Sequence, residues 1–490
     1  MAEGLKLRTA RTMKWNVIDR LSQQVLYAIT GIVLARELTQ ADFGLVGAVL
    51  IFQAFANLLV DSGFSSALLQ RKAPTRLDYS SVLWFNLLVA AALYAILWVC
   101  APLIAQCFEN DQRLIPLSRV MFLSFILNAA AIVQTNRFMK EMNVRPVAMS
   151  NAIGLAAGAV VGIWLAVSGC GAWAIVWQTI VAAAVKTSLL WIISRWTPLL
   201  RLSWHALRSF MSVGLGMMFT SLLNTIFLNL YSFFIGNRVG LVSLGYYTQS
   251  DKWSKMGSAS ISQVLTSTFV PVLSSVQDDA PRFRRMVRRM NRVTAYITVP
   301  AMLGLAVLAT PLFHTLFGAK WDPSILLFRI LLIRGIFVVL NSLYGNYMLA
   351  LGRSKAIVAM ETVRDVTAVI ALAVTFPYMA IVTPTDPVWG VTVMLWGQLA
   401  ATVISWIVAL VTVSRITGVS AFAFVTDNLP YLALTLVAAA PVIPLLGSSL
   451  APWLQLFAGF AAGLAVYLIA NFLLRSRVQS DAIAYFRGRL

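Results

Sequence analysis

Long apolar runs follow one another along almost the whole chain, and short polar connections separate them. Because an α-helix needs about 20 apolar residues to cross a bilayer, each run is long enough for one crossing. The pattern predicts an all-α integral membrane protein of about 14 transmembrane helices, without a soluble domain. The predicted spans lie at 15–35, 43–67, 79–106, 116–136, 147–167, 172–194, 209–235, 244–274, 294–317, 324–350, 356–382, 388–412, 430–447 and 452–474.

Composition supports a membrane location, because 59% of the 490 residues are hydrophobic, 11% are charged and the mean hydropathy is +0.80. The net charge of +20 is compatible with nucleic-acid binding, but the basic residues form short clusters between apolar runs and no continuous surface. Of these residues, 26 lie in one set of alternate connections and 4 in the other. The positive-inside rule therefore predicts cytoplasmic termini, and we expect no nucleic-acid partner.

The eighth predicted span is unusually polar, since it contains GYYTQSDKWSKMGSASISQ at 245–263. Treating this segment as a loop would reverse the orientation of every later span and place the arginine-rich segment 282–292 outside. We therefore predict a polar helix that faces water inside the protein.

The two halves of the chain carry similar patterns. APLIAQCFENDQRLIPLSRVMFLSFI (101–126) and TPLFHTLFGAKWDPSILLFRILLIRGI (310–336) share a Pro-Leu opening, a loop phenylalanine and an arginine early in the next helix. LARELTQADFGLVGA (34–48) also aligns with IGNRVGLVSLGYYTQ (235–249). Both similarities indicate an internal repeat.

The alignment pairs Gly44 with Gly245 and is offset by an even number of spans, so the two halves have the same orientation. The sequence predicts two parallel six-helix lobes, at 1–208 and 209–415. Two additional helices and a cytoplasmic tail follow at 416–490. Repeats around a shared site are typical of transporters.

Basic side chains deep in the spans are the first candidates for a binding site, because an unpartnered charge at the bilayer centre costs about 2.5 kcal/mol or more. Lys252, Lys255 and Arg334 are predicted to lie about 12–16 Å inside their helix ends, and Lys186 is similarly deep. Arg20 is a fifth candidate, in the first span. Ammonium and guanidinium groups bind phosphate strongly, so we predict a cationic cavity for an anionic cargo. Alternatively, these cations hold water or pair with acids.

Other charges within the spans have structural interpretations. Arg119 and Arg329 lie near helix ends, from which long side chains can reach the headgroups. Glu361, Arg364 and Asp365 share one helix face, and we predict that they neutralise one another.

The first span opens with the polar stretch VIDRLSQQ, residues 17–24. Asp19, Ser22 and Gln23 share one helix face, which we expect to face the cleft between the lobes. A bond from Asp19 to Lys14 is the alternative.

Two segments are interpreted as packing or membrane-surface features. PRFRRMVRRMNRV, at 281–293, is predicted to form an amphipathic helix on anionic lipid, either as a topology anchor or as the first contact of a phosphorylated lipid. Gly154, Gly158 and Gly162 form GxxxGxxxG, which favours close helix packing.

Catalytic and metal-binding patterns are not recognisable in the sequence. The three cysteines and two histidines lack metal-ligand spacing, and no nucleophile with an accompanying base is evident. We expect no cofactor and no enzymatic activity. Coupling to H⁺ or Na⁺ is left open, with Asp19, Asp61 and Asp251 as the candidate carboxylates.

LARELTQADFGLVGAVLIFQAFANLLVDSGFSSALLQRK, at 34–72, resembles the opening of bacterial Wzx-type polysaccharide exporters, especially the colanic acid exporter branch. The plan of six, six and two helices extends the resemblance over the whole chain. It implies the fold of the multidrug/oligosaccharidyl-lipid/polysaccharide (MOP) superfamily, the bacterial inner membrane, and flipping of undecaprenyl-diphosphate-linked oligosaccharide before polymerisation. It also implies a cationic cavity between the lobes and added helices that shelter the lipid tail.

The predicted mechanism is alternating access, in which the lobes rock about the bound diphosphate while the polyprenyl tail stays in lipid. Membrane lipids and the polysaccharide polymerase are the expected partners. Two alternatives remain: a multidrug or metabolite antiporter of the same fold, and a membrane-embedded glycosyltransferase or polymerase. The surplus of cations argues against the first, and the small outer connections argue against the second.

Overall fold

A computed structural model describes residues 2–61, 63–379, 388–476 and 478–480, which form helices and no β-strand. Apolar runs fold as helices in a membrane because lipid offers the backbone no hydrogen-bond partners. The earlier helices are α1 (Ala2–Glu37), α2 (Gln40–Asp61), α3 (Phe64–Gln70), α4 (Arg76–Cys107), α5 (Leu114–Met121), α6 (Leu123–Lys140), α7 (Arg145–Val167), α8 (Trp173–Ser194) and α9 (Trp204–Arg238). The later helices are α10 (Leu241–Ser274), α11 (Ala280–Val307), α12 (Ala309–Leu316), α13 (Asp322–Ala350), α14 (Ser354–Met379), α15 (Trp389–Thr417), α16 (Ala421–Ala439), α17 (Val442–Leu446) and α18 (Pro452–Leu473).

The predicted spans coincide with single helices or with consecutive helix pairs, although the end of the eleventh, at 380–382, lies outside the described residues. Within the described ranges, nine helical segments are long and apolar enough to cross a membrane, or ten if the bent pair α11 and α12 forms one span. Helices α1, α9, α10 and α14 are not among them. The all-helical membrane fold is confirmed, whereas the predicted count of 14 is not.

The thirteenth span begins earlier than predicted, because α16 starts at Ala421 and not near residue 430. Asp427 interrupts the apolar run there, but its side chain is only 7% exposed and it binds two arginines. Arg288 Nη2 and Arg292 Nη1 lie 2.8 and 3.3 Å from Asp427 Oδ1. These ion pairs compensate the buried carboxylate, so the helix continues through it.

The basic segment 281–293 is the first part of the continuous helix α11, not a separate helix on the lipid surface. Its apolar residues Phe283, Val287 and Met290 are buried in the hydrophobic core. The Tyr347 hydroxyl of α13 also donates to the carbonyl of Val287 at 3.1 Å. The apolar face therefore packs against protein.

The chain forms two compact units, 1–245 and 246–490. Helix α9 packs against α2, α3 and α4 within the first unit. The sequence repeat placed the first lobe boundary after residue 208, so the observed division lies later in the chain. The assignment of 1–208, 209–415 and 416–490 as lobes and added helices stays a prediction.

The arginines of the repeated segment make equivalent bonds, each within its own unit. Arg119 Nε donates to the carbonyl of Trp98 at 3.3 Å, and Arg329 Nε donates to the carbonyl of Ala306 at 3.1 Å. The Trp98 carbonyl lacks a helical donor because Pro102, four residues later, has no N–H. Ala306 lies at the end of α11, where the chain bends by 66° into α12. Both arginines therefore cap freed carbonyls. Their extension to the headgroups stays a prediction.

The glycine pattern of the fifth predicted span produces the predicted close packing of α7 and α8. A Cβ atom at Gly154 would lie 2.7 Å from the Ala182 carbonyl oxygen, and one at Gly158 would lie 2.5 Å from that of Gln178. Van der Waals contact between backbones replaces the hydrophobic effect as the attraction between helices in lipid.

The ADFG stretch at 41–44 fixes the start of α2. Asp42 Oδ2 accepts the backbone N–H of Thr39 at 3.0 Å, and Oδ1 accepts that of Ala172 at 3.0 Å. The Asp42 carboxylate therefore joins the α1–α2 turn to the start of α8, which gives the ADFG stretch a structural role.

Gly44 and Gly245, which the sequence repeat pairs, let α2 and α10 cross with their backbones in contact. A Cβ atom at Gly44 would overlap the Leu241 carbonyl oxygen, and one at Gly245 would overlap the Gln40 carbonyl oxygen. Each contacted residue precedes the other glycine by four positions, so the two contacts are equivalent under the repeat. No side chain larger than hydrogen fits this crossing.

Replacing Gly44 with Leu should destabilise the first unit, because the new side chain overlaps the Leu241 carbonyl and overpacking typically costs about 1–3 kcal/mol. Thermal unfolding of the detergent-purified protein measures this as a lower Tm. Gly345→Leu on α13 is the matched control, since no neighbouring atom lies within 4 Å of its Cβ position. Equal Tm values for the two variants would contradict the assigned crossing.

Candidate functional site

The polar eighth span is present as α10, an unbroken helix from Leu241 to Ser274. Part of its polar surface contacts α13: the Ser250 hydroxyl donates to the Ser324 carbonyl at 2.9 Å, and Ser258 adjoins Gly335. Because these hydroxyls donate to carbonyl oxygens, their burial inside the unit costs little free energy. The helix is therefore not wholly water-facing, because its serines pack against protein.

Lys255 is paired with a carboxylate one helical turn away. Its Nζ lies 2.6 Å from Asp251 Oδ2, and the two side chains are 48% and 15% exposed. At 1.5 Å per residue, the pair lies about 15–21 Å from the start of α10. The interpretation of Lys255 as an unmatched cation is therefore wrong.

Lys252 and Arg334 lie at similar depths, and no described carboxylate pairs with either of them. The Lys252 ammonium lies 5.6 Å from the centre of the Trp253 ring, a cation–π distance. Arg334 Nε donates to the Thr402 hydroxyl of α15 at 3.1 Å. Both side chains are partly buried. Two of the predicted phosphate-binding residues thus keep their positive charge available.

Lys186, on α8, lies against Gly154 of α7 in the first unit. Asp19 is held by two amides: Gln23 Nε2 donates to its Oδ1 at 2.8 Å and Asn151 Nδ2 does so at 3.2 Å. The polar face of VIDRLSQQ therefore contacts α7. These bonds, rather than the alternative one to Lys14, hold the carboxylate.

Two further predicted residues, Arg20 and Asp61, lie on α1 and α2. Arg20 is exposed. Asp61 is the last residue of α2 and accepts the Ser65 hydroxyl, to which Asn136 Nδ2 donates at 2.9 Å. This carboxylate ends a short hydrogen-bonded chain among polar side chains.

The predicted neutralisation on α14 is confirmed for one pair. Arg364 Nη2 lies 2.9 Å from Asp365 Oδ1, with the side chains 41% and 18% exposed. Glu361 is exposed on the same helix. The pair of Arg364 and Asp365 was therefore predicted correctly from the sequence, and the described contacts do not join Glu361 to it.

An apolar cavity of about 810 Å³ lies in the second unit between α11, α13, α16 and α18. Its polar lining residues are Tyr296, Arg329, Thr435 and Tyr467, and aliphatic side chains and Phe460 dominate the remainder. Such a predominantly apolar surface accepts a hydrocarbon chain. The sequence analysis missed this cavity, because it forms from single faces of helices that are distant in the chain.

Across the described residues, no group of three or more His, Cys, Asp or Glu side chains is placed to hold a metal ion. Cys100, Cys107 and Cys170 are free thiols. The candidate functional features are therefore positively charged side chains and an apolar surface.

A family model described as a polysaccharide biosynthesis protein matches residues 33–326. The chain belongs to this family. Over 475 residues it is 24% identical to the succinoglycan biosynthesis transport protein ExoT of Rhizobium meliloti (strain 1021), covering 94% of this chain and 92% of ExoT. Over 352 residues it is 23% identical to the lipopolysaccharide biosynthesis protein WzxC of Escherichia coli (strain K12), covering 71% of each chain.

A solved structure of the lipid II flippase MurJ, in an inward closed conformation, shares the fold of this polysaccharide biosynthesis protein with a TM-score of 0.72. The two sequences are 15% identical, and the similarity covers 94% of this chain and 99% of that one. The resemblance to polysaccharide exporters and the MOP-type fold are thereby confirmed. This member of the family is a multi-pass membrane protein.

Replacing Asp427 with Ala should lower the stability of this family member by about 2–3 kcal/mol, because it leaves the paired arginines 288 and 292 without their carboxylate. The Tm of the purified protein measures the effect. Asp278→Ala, at an exposed position near the start of α11, is the control. An unchanged Tm for the Asp427 variant would show that the ion pairs contribute no net stability.

Proposed function

We propose that the protein flips undecaprenyl-diphosphate-linked oligosaccharide repeat units across the bacterial inner membrane for exopolysaccharide, capsule or O-antigen assembly. The observation that carries the proposal is that the described residues supply no pairing carboxylate to Lys252 or Arg334. Membership of the polysaccharide biosynthesis protein family supplies the chemical class of the cargo.

The charge argument is selective for an anion. A buried cation is stabilised by a ligand that brings several negatively charged oxygens, and a diphosphate does so at one short group. A cationic drug at the same position would add like charge to Lys252 and Arg334, which low local dielectric makes costly. Lys255 would extend the positive region of the second unit once Asp251 releases it. Lys186, in the first unit, is a further proposed contact for the diphosphate or sugars. Arg20, exposed in α1, is the proposed outlying contact for the headgroup or sugars.

The apolar cavity supports a lipid-linked cargo. Its walls include α16 and α18, the helices beyond the repeated part of the chain. Its apolar walls offer a polyprenyl chain the same van der Waals contacts as lipid does, so part of the chain can lie in it without loss of favourable surroundings. We assign the lipid tail to this cavity and the surrounding bilayer.

Transport proceeds in this proposal by alternating access from the cytoplasmic to the periplasmic leaflet. The excess of basic residues in alternate connections supports cytoplasmic termini. Asp19, Asp61 and Asp251 are the candidate carboxylates if H⁺ or Na⁺ drives the cycle. A polysaccharide polymerase would receive the product on the outer face.

Exchanging Lys252 or Arg334 for Gln should reduce export at least about tenfold, since each exchange removes an uncompensated positive charge worth about 1.4 kcal/mol or more to diphosphate binding. Cells expressing each variant would be assayed for undecaprenyl-linked oligosaccharide on the cytoplasmic leaflet and for extracellular polymer. Lys72→Gln, in an exposed connection, is the charge-matched control. Normal export by both variants would remove the site assignment, and loss of polymer without cytoplasmic accumulation would favour a polymerase.

Filling the apolar cavity should weaken binding of the lipid tail. Gly463→Phe places a ring in the cavity lining, whereas Ala461→Phe adds the same ring to an exposed position of α18 outside the lining. We expect roughly tenfold weaker binding of undecaprenyl phosphate to the first variant, because the ring occupies hydrocarbon space. A short-chain polyprenyl phosphate should discriminate less between them. Equal binding of undecaprenyl phosphate by the two variants would exclude the cavity as the tail site.

A further inference from the structure

We propose that Asp251 is an exchangeable counter-ion for Lys255, which the diphosphate of the cargo displaces and which re-forms its ion pair when the cargo leaves. The inference rests on the proposed function and adds a positioning residue to it. Asp251 would not touch the cargo; it would set how tightly Lys255 holds it.

The pair is close but only partly enclosed. Lys255 Nζ and Asp251 Oδ2 are 2.6 Å apart on one face of α10, and the lysine side chain is 48% exposed. An ammonium group has three donors, so a half-exposed lysine can approach a phosphate oxygen without leaving its helix position. The cation is therefore accessible while its charge is compensated.

Asp251 is held by fewer side-chain partners than Asp19 or Asp427. Its Oδ1 is buried and has no hydrogen-bond partner among the described residues. The ion pair of Oδ2 with Lys255 is therefore the side-chain contact that holds this carboxylate. Asp19 has two amide donors and Asp427 has two arginines. Separation from Lys255 therefore breaks a single ion pair of Asp251, and water must then hydrate the carboxylate, which is 15% exposed.

Exchange gives the site two properties that a bare lysine lacks. Without cargo, Lys255 is not left as an isolated charge in a medium of low dielectric. With cargo, the multiply charged diphosphate outcompetes a single carboxylate, whereas a neutral lipid headgroup does not. Asp251 therefore lowers the affinity of the site for the cargo. The lower affinity favours release of the cargo, which a transporter needs. Lys252, three residues earlier, has no such partner among the residues that the structure describes, and it provides the permanent attraction.

The test measures binding of undecaprenyl diphosphate, and its flipping, by the full chain in lipid nanodiscs and liposomes. Asp251→Asn should bind the probe roughly tenfold more tightly, equivalent to about 1.4 kcal/mol, and should flip it more slowly. Asp251→Glu keeps the charge and should bind as the unchanged protein does. Asp278→Asn is the control for loss of a carboxylate, and the Tm of each variant checks its folding.

A double variant separates exchange from other roles of the carboxylate. If Asp251 acts through Lys255, then Asp251→Asn should have no effect on affinity once Lys255→Gln is present. Unchanged or weaker binding by Asp251→Asn, or tighter binding that persists in the double variant, would overturn the inference. Loss of a proton or sodium dependence of flipping, without tighter binding, would likewise overturn it in favour of ion coupling.

Failure of the proposed function has a different signature. If the unchanged protein neither binds nor flips undecaprenyl diphosphate, the proposed function and this inference both fall. If it does both and Asp251→Asn binds no more tightly, the inference alone falls.

Discussion

A charged side chain at membrane depth persists only where a partner, a polar backbone group or water replaces its lost hydration. Several charges in the described part of the chain meet that condition inside their own unit: two arginines contact Asp427, and carbonyl oxygens accept hydrogen bonds from Arg119 and Arg329. Lys252 and Arg334 differ, because the described residues give them a ring and a hydroxyl but no carboxylate. The candidate site is defined by the positive charge that the rest of the fold leaves uncompensated.

The same constraint explains why much of the architecture could be predicted from the sequence. A run of apolar residues has one practical solution in lipid, a helix, so element type follows directly from local pattern. The repeat was also informative, since aligned Gly44 and Gly245 proved to form equivalent contacts. The polarity of α10 identified it as an unusual helix before any contact was known. Local chemistry and spacing sufficed for each of these conclusions.

Contacts between distant parts of the chain were less accessible. The partner of Lys255 stood four residues away and was predictable from helical spacing, yet a surplus of basic residues obscured it. Asp427 and Arg288 are 139 positions apart, and no local signal joins them. The apolar cavity could not be predicted either, because it is the space left between four helices whose individual sequences look equally hydrophobic. Pairing across distance and packing volume are tertiary properties.

The long separation between Arg288 and Asp427 has a consequence for biogenesis. The basic end of α11 leaves the ribosome well before α16 is made, so its arginines first serve to orient their own helix in the membrane. Only later does the carboxylate arrive that ties them to the bundle. A nascent chain that stops before α16 therefore exposes the arginines of α11 without their carboxylate, which distinguishes an unfinished protein from a complete one.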